Sequence, residues 1–137
     1  MKNIYKYITL LAVIFIFIIG CEDSSTNSTE PEPTYSIVGR WVVIGFEETV
    51  LYQFTNTHRY TIYSTDGNFG LLEDALPNPN EMTYNSDGSI TLDLHFGNYL
   101  TFTPDFTCNG RVVNFRIADD VIHSTYIKEN FNMESCN

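Results

Sequence analysis

The chain has 137 residues, 43% hydrophobic and 15% aromatic, with seven Lys and Arg against seventeen Asp and Glu, a formal charge of −10 at pH 7. A surface that acidic repels phosphate backbones and anionic headgroups, so nucleic-acid binding and electrostatic adsorption to a membrane are not expected. The length admits one small domain with a modest core and no second one.

The chain opens with Lys2 and Lys6, followed over residues 7–19 by an apolar run in which Thr9 is the one clearly polar member. A cationic start and a short apolar core are the layout of a secretory signal. The run falls short of the ~20 residues that cross a bilayer. It ends in Ile18, Ile19, Gly20 and Cys21, four positions that resemble the lipobox of bacterial lipoproteins. The resemblance implies cleavage before Cys21, lipidation of Cys21, and a protein tethered to a membrane of the bacterial cell envelope, in particular the outer membrane, on its periplasmic or surface face. Two or three acyl chains anchor a protein stably where one does not. Glu22 and Asp23 follow at once, and acidic residues in that place resemble the surface-export signals of lipoproteins in Bacteroidetes-like bacteria.

Three segments are therefore expected: a signal peptide over 1–20, the lipidated cysteine with a flexible acidic linker over 21–35, and a folded domain over 36–137. Residues 24–34 are Ser, Thr, Asn, Glu, Pro and nothing apolar, a composition that buries too little surface to order itself. Loss of Lys2 and Lys6 leaves five Lys and Arg against seventeen acids, a formal charge of −12. Cys108 and Cys136 remain after Cys21 is assigned to the lipid. An even pair in an oxidising compartment predicts a disulfide. Closing a loop of 28 residues stabilises by about 3 to 4 kcal/mol on the loop-entropy account. A metal or redox centre would want a CxxC spacing or a nearby histidine, which these cysteines lack.

In the domain the apolar residues recur mainly with a period of two, and turn signals separate them every eight to twelve residues, the pattern of an antiparallel all-β fold. Strands are expected over 37–46, 49–55, 58–64, 82–85, 90–96, 99–103, 111–118 and 121–129. Ile90, Leu92, Leu94 and Phe96 alternate with Thr91, Asp93 and His95, one face dry and one wet, behind a tight Asp87-Gly88 turn. Between 71 and 81 the prolines Pro77 and Pro79 forbid a central strand or a continuous helix, leaving a long loop with room for one helical turn at 73–76. About eight short strands without helices form a sandwich or a barrel. Sequential hairpins favour the small up-and-down β-barrel.

At the head of the first strand stand Gly39, Arg40 and Trp41. They resemble the G-x-W opening of lipocalins and of the short lipocalin-like domains of envelope lipoproteins in Bacteroidetes. That resemblance implies that Gly39 lets the chain bend into the barrel and that Trp41 closes its floor beneath a basic side chain from a late strand, for which Arg111, Arg116 and Lys128 are the candidates. No second lipocalin motif is legible, and the domain is short for that family. The implied function is non-enzymatic binding of a small apolar ligand or envelope component. The rival reading is a structural or protein-interaction lipoprotein with a solid barrel.

No residue is assigned a catalytic role. G-x-S-x-G and glycine-rich phosphate loops are absent. His58, His95 and His123 fall on separate strands with no ligand-type partner at metal spacing, so no metal or other cofactor is expected. Asp119 and Asp120 read as turn formers. Asp66-Gly67-Asn68 is a fragment of a calcium loop without its downstream acid. The aromatics are more suggestive: Phe54, Tyr60, Phe96, Phe102 and Phe115 fall on apolar faces where they could line a ligand cavity or simply pack the core. Tyr63, Tyr99 and Tyr126 are expected to project outward.

Overall fold

A computed structural model of the chain describes residues 34–118 and 121–136. The signal, Cys21 and the linker up to Pro33, and the Asp119-Asp120 pair, lie outside the described residues. Eight strands follow in chain order: β1 (Gly39–Val43), β2 (Val50–Phe54), β3 (His58–Tyr63), β4 (Asn80–Tyr84), β5 (Ile90–Asp93), β6 (Tyr99–Thr107), β7 (Val112–Ile117) and β8 (Val121–Lys128). Each pairs antiparallel with the next, and β8 pairs back onto β1 through Trp41 opposite Lys128 and Val43 opposite Tyr126. The domain is a closed up-and-down barrel. Closure protects the sheet edges, and every strand pairs with both of its neighbours over at least part of its length.

Side chains on alternate positions face inward. Trp41, Phe54, Met82, Leu92, Phe102, Val113, Phe115 and Tyr126 form one buried cluster, joined from outside the strands by Ile37. The alternation fails in β1, where Trp41, Val42 and Val43 are all apolar, and the reason is a second, smaller core on the outer face. Val42, Leu51, Ile62 and Ile127 point outward and are covered by Phe69 and Ala75 of the β3–β4 loop and by Phe131 of the C-terminal tail. Strands buried on both sides read as continuous apolar runs.

Arg40 fastens this outer layer. Its guanidinium donates to both carboxylate oxygens of Glu129 at 2.6 and 2.9 Å, to Gln53 Oε1 at 3.2 Å and to the Gly70 carbonyl at 2.9 Å. One side chain thus ties the long loop to β1, β2 and the end of β8, and the hydrogen bond to Glu129 raises the guanidinium pKa further. The tail is held again by the Cys108–Cys136 disulfide, with Cα atoms 5.2 Å apart, which joins it to the turn after β6.

The expected strand bounds are corrected: β1 spans Gly39–Val43 rather than 37–46, β4 begins at Asn80 rather than 82, and β5 and β6 change for a local reason. β5 ends at Asp93, because Asp93 Oδ1 accepts from the His95 N–H and Leu94 N–H bonds to the Asn98 carbonyl, so the chain turns at once. His95 and Phe96 take positive φ in that turn. β6 runs on to Thr107, pairing with β5 as far as Phe102 and with β7 from Thr103. Pro104, which has no N–H to give, sits where β6 has already left β5 and one edge is unpartnered, a position proline tolerates. The helical turn expected at 73–76 is a 3-10 turn at Leu72–Asp74.

Candidate functional site

One end of the barrel is shut. Trp41 is fully buried, and its Nε1 donates to the Ile37 carbonyl at 2.6 Å. Lys128 covers it, with Nζ 4.2 Å from the ring centroid and 3.3 Å from the Val38 carbonyl. Of the three basic candidates, Lys128 is the one in this place: Arg111 lies 6.0 Å from the Phe131 ring and Arg116 binds Asp105 at 2.7 Å. Gly39 has φ of 131°, and a Cβ there would lie 2.6 Å from Lys128 Nζ. The glycine is therefore required by its backbone conformation, and a Cβ there would also push the flexible end of Lys128 off its seat. Burial lowers the Lys128 pKa, with the nearby Arg111 charge acting the same way.

Above this floor the barrel is plugged by aromatic rings. Phe102 stacks on Phe115 at 3.7 Å, Phe54 meets Phe115 edge-on at 5.9 Å, and Tyr126 leans on Phe115 at 4.3 Å. Phe54, Phe102 and Phe115 are no more than 1% exposed. At that burial each ring is enclosed by its neighbours and serves as core.

Beyond the plug the inward-facing positions lose their cover. Val43, Val50, Tyr52, Arg59, Thr61, Leu100, Ile117 and Ser124 are only half-buried, and Tyr63, opposite Val50, is 60% exposed. The end of the barrel remote from Trp41, hereafter the cup, is thus less closely covered than the floor, apolar on the β1, β6 and β7 sides and polar on the β3 side. Arg59 stands within it. It lies opposite Phe54 in the register and faces inward, its guanidinium 4.4 Å from the Tyr52 ring centroid and donating from Nε and Nη2 to Asn80 Oδ1 at 3.2 and 2.7 Å. Asn80 is in turn fixed by its own bond to the Asp93 carbonyl. The Tyr126 hydroxyl, which accepts from Ser124 Oγ at 3.1 Å, is raised in pKa by burial, with the Ser124 bond and the Arg59 charge pulling the other way.

Three sequence expectations fail here. Tyr60 lies on the outer face, opposite Gln53 and on the same side as Ile62 of the outer core, so it does not line the interior. Phe96 is fully exposed, since the turn that ends β5 throws it into solvent. Tyr126, expected to project outward, is 4% exposed and faces the core. Tyr63 and Tyr99 are exposed as expected.

The residue that sequence reading missed is Arg59. The apolar alternation of Tyr60 and Ile62 made that face of β3 look like the interior, when loop cover on the outside had produced it. The readable signal was the spacing of four residues, 55–58, between Phe54 and Arg59, which sets the two opposite each other. If Phe54 faces the core, so does Arg59.

Among the described residues no group of three or more His, Cys, Asp or Glu converges on a metal-sized site, and no helix is long and apolar enough to cross a membrane. The histidines are apart: His58 touches Thr57, His95 the Asn78 carbonyl and His123 Ser124. A depression of about 450 Å³ lies where β6 changes partner, bounded by Asp87, Ser89, Thr101, Thr103, Arg116 and Ala118. Phe102 and Ile117 supply its apolar wall, and Arg116 at its edge is engaged by Asp105. Comparison with protein-family models, curated proteins and solved structures finds no match for this chain.

Proposed function

We propose that the protein is a membrane-anchored envelope lipoprotein whose lipocalin-like barrel binds one small, mainly apolar molecule in the cup opposite Trp41. The observation that carries this reading is the loss of cover along the interior. Side chains that face inward are sealed at the Trp41 end and in the aromatic plug, while Val43, Val50, Leu100 and Ile117 beyond it remain half-open. Partly hydrated apolar walls with a few convergent polar groups are the usual make-up of a small-molecule site. The G-x-W arrangement with its covering lysine, the eight-stranded closure and the lipobox-like sequence at Cys21 support the lipocalin-like lipoprotein identity.

A second reading has its own support. Ile44, Phe46 and Phe96 are exposed on the loops at the cup end, and a rim of that kind also suits a protein partner, with the barrel acting as a rigid support. Native mass spectrometry of the barrel domain after incubation with an envelope lipid extract separates the two. Binding in the cup gives one adduct per chain, lost in Thr61→Trp, which fills the cup from an inward-facing position on β3. An unadducted mass throughout sinks the ligand-binding reading and favours the interaction protein.

A further inference from the structure

We infer that the outer face of β4, β5 and β6 binds a neutral oligosaccharide, at a site outside the barrel and independent of the cup. Where the outer face of β1, β2, β3 and β8 is apolar and covered by loop and tail, this one is polar and open to solvent. Its middle row is three threonines in register, Thr83 beside Thr91 beside Thr101. At one end Asp93 lies opposite Tyr99, with Glu81 on the same face of β4. At the other, Asn85 Nδ2 donates to Ser89 Oγ at 2.9 Å and to Thr91 Oγ1 at 3.1 Å, Ser89 Oγ donates to Asp87 Oδ1 at 2.6 Å, and the Thr91 and Thr101 hydroxyls lie 2.9 Å apart. This run of bonds orders the polar groups before a ligand arrives, which reduces the ordering cost of binding.

Two depressions meet on this face. The one of about 450 Å³ crosses β6 over Thr101 and Thr103, between Asp87 and Arg116, and a second of about 170 Å³ is bounded by Glu81, Thr83, Thr91, Asp93 and Tyr99. Thr101 lines the first and Thr91 the second, so the bonded pair is their shared ridge and the site has room for more than one sugar ring. Hydroxyls donate and accept, carboxylates only accept and a guanidinium only donates, so the lining offers a sugar's hydroxyls both kinds of partner. Tyr99, 65% exposed, sets a ring beside the smaller depression, where the C–H face of a pyranose can pack. The Ser89 hydroxyl and amide hold the Asp87 carboxyl below the ordinary carboxylate range, so it stays an ionised acceptor. Among the described Lys and Arg, Arg116 alone reaches this face, and Asp105 engages it at 2.7 Å. Glu81, Asp87 and Asp93 therefore leave the face net negative, and an anionic polymer is repelled. The acids stand apart, and no three converge on a metal-sized point among the described residues. A sheet face that serves solubility alone intersperses both signs of charge, which a threonine row between acids does not.

Calorimetric titration of the full chain in a polyoxyethylene detergent, which carries no sugar, tests the assignment. The probes are cellopentaose, maltopentaose and penta-N-acetylchitopentaose, with pentagalacturonate and calcium chloride beside them. At least one neutral pentasaccharide should bind one to one. Its affinity should fall roughly ten-fold or more in Asp87→Asn, the usual weight of a hydrogen bond to a charged group, and that variant keeps a turn-forming residue before Gly88. It should fall about three-fold or more in Tyr99→Ala and in Thr101→Val, the weight of one ring contact or one neutral hydrogen bond; both positions are exposed and leave the barrel core untouched. Binding by none of the neutral probes would overturn the inference. Equal affinity in the native chain and all three variants would overturn it as well, since the sugar would then sit elsewhere. Pentagalacturonate bound as tightly as the neutral sugars would refute the charge argument, and saturable calcium binding in place of sugar would make the acids a cation site; either result overturns the assignment.

Discussion

Lys128 lies over Trp41, its ammonium 4.2 Å from the ring centroid, in space that exists because residue 39 has no side chain. The three residues form one device: the indole shuts the barrel, the cation covers the indole, and the glycine makes room for the cation. Trp41→Ala should lower stability by about 3 to 5 kcal/mol, the cost of truncating a buried Trp, and Lys128→Met by about 0.5 to 2 kcal/mol, the range for a cation on a ring. A double-mutant cycle read by urea titration should show coupling between them. Gly39→Ala should destabilise by about 1 to 3 kcal/mol through the positive φ, and shortening Lys128 should recover only the steric share of that loss.

The tail of the barrel depends on its disulfide. Cys136→Ser should lower stability by about 3 to 4 kcal/mol and loosen Phe131 from Val42 and Ile127. Hydrogen exchange should then speed up in β8 and the tail ahead of β5. Uniform acceleration across all strands would mean that the outer core does not depend on the bridge.

Tyr126 gives the stability a pH signature. Burial raises its pKa in the folded state above the ordinary phenol value near 10. Between those values the folded chain holds a proton that the unfolded chain has lost, so stability is fully present below about pH 10 and falls as pH rises through the folded value. The drop in urea midpoint between pH 9 and pH 10.5 should be smaller in Tyr126→Phe than in the native domain. Equal drops would show that this hydroxyl ionises with equal ease in both states.

Anchoring is tested separately from folding. Cys21→Ala should leave an unlipidated precursor and move the protein out of the detergent phase on temperature-induced phase separation. Retention in that phase would refute the lipid anchor.

The fold was largely legible because each hairpin carries its own turn chemistry, and Ile90 to Leu92 or Val113 to Phe115 alternates as an inward face should. The site was less so. Tyr60 and Ile62 make an apolar stripe that is indistinguishable by period from an interior one, because the cover over Ile62 comes from Phe69 and Ala75 of the next loop and Phe131 of the tail, and no local pattern says which face a loop folds over. Phe96 continues an alternation that a single acceptor, Asp93 Oδ1, brings to an end. A carboxylate that can cap a turn interrupts periodicity without altering it in the letters. The cup itself depends on where rings run out along the barrel axis, which is a property of strand stagger and has no local sequence mark.

The measurement that tests the central claim most directly is methyl-resolved nuclear magnetic resonance of the barrel domain during titration with decan-1-ol. Saturable one-site shifts at Val43, Val50, Leu100 and Ile117, with Val42 and Ile127 of the outer core unmoved, are the predicted result. Still methyls in the cup at saturating alcohol, or shifts confined to the outer face, would contradict it.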